Sequence, residues 1–179
     1  MCFCLDTLVI GAPGRKCLNL VDRMLFQDSY TGELHNGKVY VYTYDATASS
    51  WALSSTITGS AADDSCFGAS VDISDTEANI IVGAPFEGTS EEGAVYHFIR
   101  DPSDPTEWAT ELFPTEANDV TQATANAHYG HAVAMDAYDR AVIGLPGADG
   151  NVNGIDYTQI GKGTAWRFNE IETEILNSM

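Results

Sequence analysis

The sequence predicts an all-β fold built from a recurring antiparallel unit. Three observations lead there: a motif that recurs three times, alternation of apolar and polar residues at period two, and no convincing helical period across the repeats. The motif is Leu8-Val9-Ile10-Gly11-Ala12-Pro13, then Ile80-Ile81-Val82-Gly83-Ala84-Pro85, then Ala141-Val142-Ile143-Gly144-Leu145-Pro146, with its glycines 72 and 61 residues apart. After each comes a Gly-x-aromatic segment: Gly37 to Tyr42, Gly93 to Phe98, and Gly163 to Phe168. Recurrence of this length signals a repeat architecture, and the two-residue alternation signals half-buried strands.

Two further segments complete the unit. Phe67-Gly68-Ala69-Ser70-Val71-Asp72-Ile73 and Tyr129-Gly130-His131-Ala132-Val133-Ala134-Met135 precede the second and third motifs and read as strands. Trp51 and Trp108 open a fourth strand, which Ile171 to Leu176 echoes in the third copy. With Asp6 aligned on Asp139, the first copy (1–59) lacks its first strand, while 60–114 and 115–179 carry four each. The motif glycine has no Cβ and lets neighbouring backbones approach closely; the proline, without an N–H, ends strand pairing. Four short antiparallel strands in roughly 60 residues describe the blade of a β-propeller. About three blades are expected, an incomplete ring whose open edges would be covered by further repeats or by other chains. Between Gly14 and Asn36, Leu18, Val21 and Leu25 at helical spacing predict a short amphipathic helix bearing Arg15, Lys16 and Arg23.

Composition narrows the partners. The 179 residues are 44% hydrophobic and 10% aromatic, enough for a packed core. Eight Lys and Arg against 26 Asp and Glu give a formal charge of −18, which repels nucleic-acid phosphates and favours divalent cations and basic partner surfaces. No apolar run approaches the ~20 residues of a membrane-spanning helix, and the first ten residues do not read as a secretory signal. Cys2, Cys4, Cys17 and Cys66 fit neither a disulfide framework nor a zinc ribbon, and Cys2 and Cys4 read as unpaired thiols.

Phe67-Gly68 followed by Gly83-Ala84-Pro85, and Tyr129-Gly130 followed by Gly144-Leu145-Pro146, resemble FG-GAP repeats, the blades of integrin alpha-subunit propellers and of many bacterial and algal surface proteins. The resemblance covers nearly the whole chain. It implies an extracellular, non-enzymatic interaction or adhesion module that binds protein or glycan. Integrin-type repeats often carry an Asp-x-Asp-x-Asp-Gly calcium loop between the two motifs. Here Ser74 to Asn79 and Asp136 to Arg140 are short turns with too few carboxylates, as in the shorter, Trp-containing bacterial variety.

The antiparallel order of such a unit places the second-to-third and fourth-to-first connections on one face. These are the long ones, and long loops on a rigid scaffold are where binding resides. Arg15, Lys16, Arg23, Glu87, Glu91 and Glu92 fall in them and form the expected interaction face. Asp149-Gly150-Asn151-Val152-Asn153-Gly154-Ile155-Asp156 alternates oxygen donors before a glycine, the pattern of a weak calcium loop. Asp149, Asn151, Asn153 and Asp156 would offer side-chain oxygens and Ile155 its carbonyl; a polar turn has the same composition. His128 and His131 stand three apart on an expected strand and so point to opposite faces, which argues against shared chelation. The tryptophans read as packing between blades. Gly-x-Ser-x-Gly, a phosphate-binding loop and His-Glu-x-x-His are all missing from the sequence, so no enzyme motif is present. The alternative function is an accessory or catalytic domain of a propeller-type carbohydrate-active enzyme, using a carboxylate pair.

Overall fold

The recurring motifs resolve into strands: those of the first and third sheets bury about one side chain in two, and those of the second sheet, which has a neighbour on each side, are buried on both faces. The computed structural model describes residues 2–13, 37–59, 65–112, 125–138, 140–147, 150–152, 155–157 and 162–167. All regular structure among them is β. The first sheet has strand order β1 (Cys2–Cys4), β2 (Thr7–Ala12), β3 (Lys38–Asp45) and β4 (Ser50–Thr58). A second sheet repeats this order with β5 (Ser70–Ile73), β6 (Asn79–Ala84), β7 (Ala94–Arg100) and β8 (Trp108–Leu112). In the third, β10 (Arg140–Leu145) lies between β9 (Ala132–Met135) and β13 (Lys162–Arg167). A hairpin of β11 (Gly150–Val152) and β12 (Ile155–Tyr157) is inserted between β10 and β13 in the chain. Every pairing within these sheets is antiparallel.

The first two sheets share a register: Gly11 and Gly83 oppose Val39 and Val95, and Trp51 opposes Tyr44 as Trp108 opposes Arg100. In the third sheet the pairing is shifted by two residues, so that Gly144 opposes Gly163 and Ala165 opposes Val142. Three expectations need correcting. First, the first sheet does have a first strand, because Cys2, Phe3 and Cys4 pair with Val9, Leu8 and Thr7. A three-residue strand held by backbone hydrogen bonds is too short to show alternation. Second, β5 and β9 begin three residues later than the apolar patterns that announced them. Gly68 and Gly130 adopt positive φ (88° and 84°), and the amides of Ala69 and His131 donate to the carbonyls of Cys66 and His128 as tight turns. Third, the tryptophans differ: Trp108 packs against the core beneath the Arg100 guanidinium, whereas Trp51 is 39% exposed and leans on Tyr44.

Two apolar layers lie between the sheets. Val9, Val39, Val41 and Ile57 of the first sheet meet Ile80, Val82, Tyr96 and Phe98 of the second. Phe67 completes that layer with edge-to-face contacts to Tyr96 and Phe98. The opposite side of the second sheet, through Ile81 and Val95, meets Ala141, Ile143 and Leu145 of the third, together with Ala127 and Tyr129. A Cβ at Gly11 would collide with the carbonyl oxygen of Gly68, and one at Gly83 with that of Gly130. The motif glycine of one sheet is therefore where the lead-in turn of the next comes to rest. Ser70 Oγ donates to Gly130 O at 2.7 Å, and Asp72 Oδ2 accepts from the Met135 amide at 2.7 Å, fastening β5 to the start of the third sheet.

Candidate functional site

The sheet order separates the connections into two edges. On one, Asp6 N donates to Glu77 Oε1 (3.0 Å) and Arg100 Nη2 to Thr7 Oγ1 (3.2 Å), tying the short turns of the first two sheets. Burial lowers the pKa of the Arg100 guanidinium, with the Glu77 charge opposing that shift. The other edge gathers the loop between β6 and β7 and the segment that leads into β9. Amides of Asn126, His128 and Tyr129 donate to the carbonyls of Ser90, Glu91 and Glu92, and Gly93 forms a parallel bridge with Tyr129. The β6–β7 loop is thus clamped along its second half by the next sheet. It is a fixed surface of three carboxylates rather than a loose connection.

Each carboxylate is placed differently. Glu87 is half-buried, and the Tyr96 hydroxyl donates between its two oxygens, 2.7 Å from each. Burial raises the Glu87 pKa above the ordinary 4.5, with the Tyr96 hydrogen bond working against the shift. Glu92 folds back so that its Oε2 accepts from the Ser90 amide at 3.0 Å beside Gly88, whose φ of 93° makes the bend. Glu91, itself at φ 58°, brings Oε2 to 3.5 Å from His128 Nε2. The His128 ring rests on Phe86 with 4.8 Å between centroids, so this face combines acid groups with an aromatic platform.

Of the expected interaction residues, Glu87, Glu91 and Glu92 come together here. Arg15, Lys16 and Arg23, with the helix expected between Gly14 and Asn36, lie outside the described residues, as does Ile171 to Leu176. So do Asp149 and Asn153 of the expected calcium loop. The rest of that loop is regular: Asn151 opposes Asp156 and Val152 opposes Ile155 in the β11–β12 hairpin. The two residues between Val152 and Ile155 are Asn153-Gly154, the dipeptide most favoured in two-residue hairpin connections. Among the described residues no group of three or more His, Cys, Asp or Glu is arranged to hold a metal ion.

Sequence reasoning missed two site residues, Tyr96 and His128. Tyr96 was visible as a strand aromatic, but its reach to Glu87 depends on the fold of a loop nine residues away. His128 was weighed as a metal ligand on a strand, whereas it sits in the lead-in turn at φ 55° and faces Phe86 and Glu91. The cysteines also differ from expectation, because Cys66 is disulfide-bonded. Its partner is one of the other three cysteines, all within the first 17 residues. No helix among the described residues is long and apolar enough to cross a membrane. No protein-family model matches the chain, and no curated protein matches it.

Proposed function

We propose that the chain is a set of β-propeller blades of the FG-GAP type, serving as a non-enzymatic extracellular interaction module that binds protein or glycan through the edge bearing Glu87, Glu91 and Glu92. The observation that carries this reading is the clamped β6–β7 loop, which holds three carboxylates and the Phe86–His128 platform on a fixed backbone. Preorganised loops of this kind avoid much of the ordering cost of binding. With a formal charge of −18 on the chain, the surface suits a Lys- or Arg-rich protein segment or an aminated glycan. The Cys66 disulfide supports an oxidising, extracellular setting. Calcium at the Asp149 to Asp156 segment remains part of this proposal only as a weak accessory ion, because a hairpin sets Asn151 beside Asp156 but leaves few carboxylates to neutralise it.

The carbohydrate-active alternative has one observation in its favour, the raised pKa of Glu87. Both oxygens of that group are engaged by Tyr96, which gives it a structural occupation.

The test is binding of the full chain to immobilised Lys-rich peptides and to a glycan array, beside an E91Q/E92Q double variant. Binding to either probe that weakens about tenfold in the variant, and weakens with added salt, is the expected result. Binding to neither, or equal binding by both proteins, would overturn the proposal.

A further inference from the structure

Cys66 and His128 hold the same place in consecutive repeats, two residues before Gly68 and Gly130. Their backbones match as well: φ is 61° at Cys66 and 55° at His128, and each carbonyl accepts from the amide three residues on, Ala69 and His131. A shared backbone aims the two Cβ atoms alike. The His128 ring rests on Phe86 and approaches Glu91, both in the β6–β7 loop of the sheet before its own. Cys66 therefore faces the β2–β3 connection of the first sheet, residues 13–37. Gly68 beside it lies against that sheet, where a Cβ would meet Lys38 O at 2.8 Å and Ala12 N at 3.3 Å.

Cys66 is disulfide-bonded, and Cys2, Cys4 and Cys17 are the other cysteines of the chain. Two of them sit at the wrong level. The turn holding Cys66 runs on past the motif glycine of its own sheet, since Gly68 N donates to Gly83 O and Phe86 N to Ser65 O. The first sheet meets that turn at Gly11, where an added Cβ would strike Gly68 O. Cys2 opposes Val9 and Cys4 opposes Thr7, so both stand back from Gly11 toward the other edge. The two residues from Gly11 back to Val9, with the further step from Gly68 to Cys66, set Cys2 on the order of 10 Å or more from Cys66 along the strand direction. Cys4 is farther still. Disulfide-bonded cysteines have Cα atoms no more than about 7 Å apart. Cys17 lies outside the described residues, but its place in the chain suits the bond. It belongs to the connection that Cys66 faces and follows Ala12 by five residues, a reach of up to about 18 Å.

We propose that Cys66 is bonded to Cys17, closing a covalent clamp between the β2–β3 connection and the turn that leads into the second sheet. The bond is the first junction's equivalent of the hydrogen bonds that the amides of Asn126, His128 and Tyr129 donate to Ser90, Glu91 and Glu92 at the second. In forming it, each thiol gives up its proton, and the pair loses two electrons to a small-molecule disulfide, which departs as two thiols.

Trypsin separates the three possible partners, because its Lys and Arg sites leave Cys2 and Cys4 in residues 1–15, Cys17 in 17–23 and Cys66 in 39–100. The full chain, exposed to oxidised glutathione, is labelled with maleimide under denaturing conditions and digested without reductant for mass spectrometry. The expected product joins 17–23 to 39–100 and parts into those two peptides on reduction. Residues 1–15 joined to 39–100, two copies of 39–100 joined together, or maleimide or glutathione on Cys66 would overturn the proposal. Urea unfolding supplies a second reading. Reductant should lower the midpoint of the unaltered chain and of a C2S/C4S variant by the same amount, and leave that of C17S unmoved. A C17S chain still sensitive to reductant would overturn the proposal as well.

Discussion

Glu87 shows how one residue acquires chemistry from its surroundings. Its loop position is exposed by sequence logic, yet the turn from Ala84 carries it inward until Tyr96 binds it through the hydroxyl. Because the carboxyl is harder to ionise in the folded chain than in the unfolded one, the folded chain holds its proton to higher pH. The stability from this group is complete below the ordinary value of 4.5 and is lost as pH rises through the elevated folded value. E87Q, which keeps the shape and removes the titration, should flatten stability against pH in that window. Urea midpoints measured across it for both proteins would show this, and identical slopes would mean that Glu87 ionises freely. Neither the inward turn nor the partner was legible in the residues Phe86 to Glu92 alone.

Strands were legible where one face is buried, because alternation survives in β2, β3 and β10, whereas β6 and β7, buried on both faces between the other two sheets, announced themselves by apolar runs and the recurring motif. They were misread where glycine at positive φ turns the chain before β5 and β9, since composition does not distinguish an apolar turn from an apolar strand. The disulfide is the element-scale feature that the sequence hid. Cysteine spacing says little about pairing when the closed loop is long. A bridge from Cys66 to the first 17 residues closes a loop on the order of 50 residues, for which the chain-entropy model gives roughly 4 kcal/mol. Reduction, or Cys66→Ser, should therefore lower unfolding stability by about 3–4 kcal/mol in urea titration. A midpoint indifferent to reductant would show that the bridge adds nothing to the fold.

At the scale of the whole molecule, charge and stacking oppose each other. Two apolar layers hold three sheets together, while −18 charges spread over the surface push the chain apart. Raising ionic strength from about 0.01 to 0.15 M shortens the screening length from roughly 30 to 8 Å. The melting temperature should rise by about 3–5 °C over that range. A flat response would mean that the charges already sit far enough apart to ignore one another.

By itself the sequence determined the repeat, its β character, the pairing of each Gly-x-Pro strand with the aromatic strand after it, and an acidic surface. These follow from local rules: side-chain period, turn residues and net charge act on neighbours along the chain. Only the tertiary structure decided that Gly83 receives the carbonyl of Gly130, that Glu87 meets Tyr96, that Cys66 is bridged, and that Val142 is left open where Val9 and Ile81 are closed. Those contacts join residues far apart in sequence, and burial at one position depends on which sheet face arrives opposite it, a quantity that no window of sequence contains.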